Sequence, residues 1–133
     1  MPLALASAAI ATPSLLEHSP ALAFALRRGF ALVCHQQPER SFFLFGGSVA
    51  VCARCLGIYV GASAGLLVRV SRQVARRSLI AAAAFNVVDG FWEFAGMYGN
   101  WSGTRFALGI ALGMAGATLV MSPEPDSPLT TDR

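Results

Sequence analysis

Long apolar runs separated by short, arginine-bearing turns give this chain its pattern. Three runs stand out, over residues 52–70, 79–98 and 105–121. Each approaches the roughly 20 residues that a helix needs to cross the hydrocarbon core. The third is short, so it is expected to stand upright or to thin the bilayer around it. An earlier run, 20–33, is interrupted by Arg27 and Arg28 and reads as an interfacial or half-buried helix. Pro13 and Pro20 are expected to bound a turn before it. Residues 1–11 are apolar but lack a basic leading segment, so a cleaved signal peptide is not expected. The stretch 122–133 carries three acidic residues among Pro and Ser and reads as a disordered polar tail. The pattern predicts an all-α integral membrane helical bundle: three transmembrane helices plus an N-terminal interfacial or half-buried helix, in a single membrane domain over 1–121.

Glycines sharpen the packing. Gly57, Gly61 and Gly65 recur every fourth residue in the first span, and Gly109 and Gly113 repeat the spacing in the third. Each set strips one helix face to bare backbone, which lets helices approach closely. The first and third spans are expected to touch; the same faces would also suit a homo-oligomer.

Composition agrees with a lipid environment. The 133 residues are 55% hydrophobic and 13% charged, with mean hydropathy +0.57, whereas soluble domains carry about a quarter charged residues. A net charge of +3, scattered along the chain, gives no nucleic-acid footprint; the expected partner is the lipid bilayer. Every basic residue is Arg. Four of them (Arg69, Arg72, Arg76 and Arg77) fall between the first two spans with no acid among them. The positive-inside rule makes that loop cytoplasmic and puts the start of the first span on the outer side of the cell or inner membrane. Arg27, Arg28, Arg40 and Arg54 lie on the supposed outer side and oppose this topology.

The candidate chemistry gathers at that outer edge. Cys34-His35 and the C-x-x-C of Cys52 and Cys55 contain all three cysteines of the chain. A C-x-x-C supplies two thiolates from one turn, and zinc is commonly held by four Cys or His ligands. Cys34, with His35 or Asp89, would complete the set; zinc is the first expectation and iron the second. Gly46-Gly47 lets the chain fold back between the two clusters. A C-x-x-C at a helix N-terminus equally suits a redox dithiol, but an electron relay wants a second cysteine pair and only Cys34 is left. Three cysteines in an apolar chain can also be plain buried residues.

The second span holds Asp89 and Glu93, one turn apart on one face, with Asn86 and Met97 extending it. Ionisable groups inside a span are functional candidates: as a ligand (Asp89), as a general base on metal-bound water (Asp89 or Glu93), or as partners of Arg105 that tie the bundle together. Glu39, Arg40 and Arg54 would brace the loop and offset thiolate charge. His35 directly follows Cys34, so joint ligation needs irregular backbone, for which Pro38 is a source; otherwise it is a supporting donor. His18 reads as a solvated surface residue. Tyr59, Trp92 and Trp101 read as interfacial anchors, and Phe42, Phe43 and Phe45 as a loop dipping into the interface.

C-H-Q-Q-P-E-R-S-F over 34–42 and C-A-R-C-L-G-I-Y-V-G over 52–61 resemble a family of small prokaryotic predicted membrane proteins of unknown function. Asp89-Gly90 in the next span and Arg105 before a glycine-bearing last span also fit. The resemblance covers about 32–116. It implies a helical membrane fold and a shared site of Cys34, His35, Cys52 and Cys55, and no known activity. The chain departs from that family in an abbreviated, arginine-interrupted first segment, and in Glu93, where members often carry Gln. That departure makes Asp89 the firmer carboxylate. The sequence thus reads as a metal-binding membrane protein, with the metal structural or catalytic. The alternatives are a membrane thiol–disulfide oxidoreductase and a structural or assembly protein with a metal-fixed loop.

Overall fold

The computed structural model describes residues 1–97 and 101–122. These form α1 (Pro2–His18), α2 (Pro20–Ala31), a 3-10 turn (Pro38–Arg40), a minimal hairpin of β1 (Phe43–Leu44) and β2 (Gly47–Ser48), then α3 (Ala53–Gly65), α4 (Arg72–Phe94) and α5 (Ser102–Met121). Among the described residues the chain is mostly helical, as expected. The polar tail, from 123 onward, and the connection at 98–100 lie outside them.

α3 packs chiefly on α5. A Cβ on Gly57 would overlap the Phe106 carbonyl, one on Gly61 the Ile110 carbonyl, and one on Gly65 the Met114 carbonyl. In return, Gly109 lies against the Arg54 carbonyl and Gly113 against that of Ile58. The register advances in the same direction on both helices, so α3 and α5 are parallel. α4 returns the chain between them and packs on α5. The predicted contact between first and third runs is therefore present, and these glycine faces are occupied within the chain.

The expected spans need correction. α3 stops at Gly65, and Leu67 and Val68 close the next turn through bonds to the Ala64 and Gly65 carbonyls. Its 13 residues rise only ~20 Å, short of a bilayer core of about 30 Å. α4 is long enough, at 23 residues, but carries Arg72, Arg76 and Arg77 at its start and Asp89 and Glu93 near its end. Among the described residues α5 is the one helix long and apolar enough to cross a membrane.

The N-terminus also differs from expectation. α1 runs through Pro13 instead of turning there. Proline has no N–H for the carbonyl four residues back, and that carbonyl, of Ala9, accepts from Ala50 N–H at 3.4 Å. Gly47 lies against the same proline: a Cβ there would meet the Pro13 Cβ at 3.3 Å. Pro13 thus leaves an acceptor free and makes a seat for the hairpin. The break between helices shrinks to Ser19, with Pro20 opening α2, where a missing N–H costs nothing. α2 is the helix expected over 20–33. It buries Ala23 and Phe30 and holds β2 through Arg27, whose guanidinium donates to the Ser48 carbonyl at 2.6 Å. Phe45 and Gly46, both at positive φ, form the tight hairpin turn. Phe43 and Phe45 point outward, whereas Phe42 packs edge-on against Phe106 at 5.5 Å.

Gly61 and Gly90 give a paired test. Gly61→Ala should cost at least ~1–3 kcal/mol, because backbone, not a movable side chain, fills the space. Gly90 has open space around its Cβ position, so Gly90→Ala should be neutral or stabilise α4 by up to ~1 kcal/mol. Unfolding in detergent, followed by circular dichroism, measures both.

Candidate metal centre

Three elements bring the sulfurs together. Cys34 leaves the end of α2 with its N–H on the Phe30 carbonyl at 2.9 Å. The run Val49 to Val51 is completely or almost completely buried and anchors the approach to α3. Cys52 then sits at the N-cap of α3 and Cys55 within its first turn. The Sγ atoms of Cys34, Cys52 and Cys55 all lie within 4.8 Å of one another. Tetrahedral zinc with Zn–S of about 2.3 Å would want them ~3.8 Å apart, so the donor set fits a metal. Among the described residues no fourth His, Cys, Asp or Glu joins this group.

Cys34 is organised as a thiolate. The Cys52 thiol, then the Cys55 thiol, hydrogen-bond to its sulfur, and the Cys52 and Gln36 N–H groups do so at 3.2 and 3.5 Å. Against burial, which opposes charge, they hold its pKa far below the usual 9.0, at about 2. Such N–H···S bonds are the supporting shell that orients metal ligands. Gln36 reaches its place through positive φ, and its side chain is fixed on the Arg27 carbonyl at 2.6 Å. That irregular turn is the one anticipated before Pro38. It leaves His35 exposed, on the rim of the site and outside the sulfur group.

The carboxylates are committed to arginines. Asp89, with its side chain 5% exposed, takes Arg54 at 2.5 Å. Glu93 bridges two arginines: Arg105, itself 4% exposed, and Arg40 at 2.7 Å. Asp89 therefore lies outside the sulfur group and joins α4 to α3. Glu93 joins α4 to α5 and to the loop carrying Glu39 and Arg40. Asn86 adds a bond from α4 to the Leu108 carbonyl at 3.2 Å. The arginines and thiols face a shared cavity of about 400 Å³, lined also by His35 and Gln37. Arg40 and Arg54 are expected from the sequence to brace the loop and Arg105 to partner a carboxylate; packing adds that all three line one cavity with the thiols.

Residues 34–119 match the family described as Predicted membrane protein (DUF2085). The chain belongs to this family. The match begins at Cys34 and contains all three cysteines, both carboxylates and the arginines of the cavity. An uncharacterized protein of Methanocaldococcus jannaschii is 37% identical over 98 residues, covering 68% of this chain and 61% of its own length. An uncharacterized protein of Methanothermobacter thermautotrophicus is 33% identical over 95 residues, covering 68% of this chain and 86% of its own. The chain thus spans about three fifths of the first relative. No solved structure matches it.

Breaking the buried pair should matter more to the fold than to the metal. Asp89→Asn leaves Arg54 without its counter-charge and should lower stability by roughly 3–5 kcal/mol, with metal stoichiometry retained. Parallel denaturation and metal analysis of purified protein check both halves.

Proposed function

We propose that this protein binds one metal ion at the membrane edge through Cys34, Cys52 and Cys55, with zinc first and iron second. The convergence of the three sulfurs from three elements carries the reading. Buried cysteines in an ordinary core have no reason to gather so closely, nor to draw two backbone N–H groups onto one sulfur. Three protein donors leave a position for another ligand, as catalytic zinc sites do, which favours a reactive or ligand-binding metal over a closed structural one. His35 lines the rim and would serve such a ligand as a supporting donor or proton carrier.

For the membrane setting we infer that α3, α4 and α5 embed together as a three-crossing unit. Ile80, Phe85, Val87, Val88 and Phe91 of α4 are exposed, and that surface has no place in water. α3 is short, and Leu66, Leu67 and Val68 after it are exposed, so its crossing is completed by local thinning of the bilayer. Residues 69–77, the link into α4 and its first turns, face the cytoplasm and the cysteines face outward. The outer arginines that weighed against this are bound up locally: Arg40 and Arg54 with carboxylates, Arg27 with Ser48, and Arg28 over the Phe24 ring.

Metal analysis of detergent-purified protein should give about one ion per chain. Cys52→Ser should lose it while keeping the fold, because serine is a good N-cap. A metal-free preparation in which Cys52 and Cys55 cycle between thiol and disulfide would replace this reading with the oxidoreductase one. For topology, Gln73→Cys should add labelling by a membrane-impermeant maleimide, beyond that of the unsubstituted protein, only after the membrane is opened. Added labelling in intact cells would invert the assignment.

A further inference from the structure

The sulfur cluster does not face the cavity alone. Arg40, Arg54 and Arg105 line the same space of about 400 Å³, which is ample for a small ligand beside a metal. Each arginine reaches a carboxylate through one terminal nitrogen, and a guanidinium has more N–H donors than one such contact uses. Nε of Arg54 and Nε of Arg105 are buried with no hydrogen-bond partner among the described residues. Guanidinium groups recognise carboxylate and phosphate oxygens with matching geometry. What Arg54 and Arg105 have unmet beside a three-thiolate metal site is N–H donors, not charge, and an anionic oxygen is the acceptor that suits them.

We propose that this cavity is an oxyanion site: a singly charged carboxylate or phosphodiester group sits between the three arginines and completes the coordination of the thiolate-bound metal. The proposal rests on the metal reading for its coordination and on the arginine lining for its anion. Charge selects one negative charge over two. Three guanidiniums, Asp89, Glu93, three thiolates and a divalent ion cancel, so a loaded site is already neutral and admits a monoanion more readily than a dianion. Placement at a membrane edge allows two sources for such a group, a soluble molecule or a lipid headgroup. Arg40, the most exposed of the three, stands toward the entrance.

Cobalt(II) in place of the native metal gives the readout. Full-length protein in a phosphate-free maltoside detergent is loaded with cobalt and titrated with acetate and with dimethyl phosphate, with chloride at matched ionic strength as control. A saturable shift of the cobalt visible bands is expected with the first two and not with chloride. Arg40→Gln should weaken it about ten-fold at unchanged cobalt content. Arg105→Lys should weaken it as well, since a point charge replaces a planar fork. Added phosphatidylglycerol producing the shift when the soluble ions do not would support the same site with a lipid source. Thiolate–cobalt bands that ignore all three anions, or that shift equally with chloride or in both variants, would overturn the proposal and leave the metal reading intact. If wild-type protein shows no thiolate–cobalt band, the metal reading fails. Calorimetric titration of metal-free protein with acetate then decides the cavity: binding weakened in Arg40→Gln supports an anion site without metal, and no binding overturns it.

Discussion

Backbone meeting backbone between α3 and α5 is the contact on which the other features rest. Gly57, Gly61 and Gly65 on one helix and Gly109 and Gly113 on the other leave no side chain between the two. Apolar burial gives little drive for helices to associate in lipid, so close van der Waals approach has to supply it. The contact also sets register. It brings the N-terminal turn of α3, with Cys52, Arg54 and Cys55, level with Arg105 at the start of α5. A parallel pair requires a return helix, and α4 thereby delivers Asp89 and Glu93 to the same end.

Charge then organises that end. Two carboxylates from α4 distribute themselves over three arginines from the loop, α3 and α5. Buried ion pairs seldom stabilise more than apolar packing would, but they specify which helix sits beside which. They also keep guanidinium groups fixed around the thiols, Arg105 buried and Arg40 toward the entrance. The same groups that lock the bundle therefore shape the electrostatics of the cavity.

The N-terminal half works as a clamp. α1 seats the hairpin through Pro13 and Ala9, and α2 grips it through Arg27. Between these anchors the chain is forced back so that Cys34 meets the start of α3. A short loop alone would leave Cys34 free to swing. Tied at both ends, it presents its sulfur to the Cys52 N–H.

Sequence by itself determined the helical character, the membrane setting, the glycine contact and which three cysteines form the candidate site. Each of these follows from local composition or from spacing along one helix: period-four glycines define a bare face, and C-x-x-C defines a shared turn. Tertiary structure decided what spacing cannot carry. Whether Asp89 reached for metal or for Arg54 depended on which helix lay opposite. His35 was turned out by the backbone at Gln36, which no property of the histidine announces. The end of α3 at Gly65 and the passage of α1 through Pro13 also went against the local pattern. Proline's missing N–H is a defect within one helix, and it becomes a docking point once a hairpin, distant in sequence, supplies the donor. The ring of arginines around the sulfurs is of the same kind: three residues far apart in the chain acquire a common role only when packing brings them around one cavity.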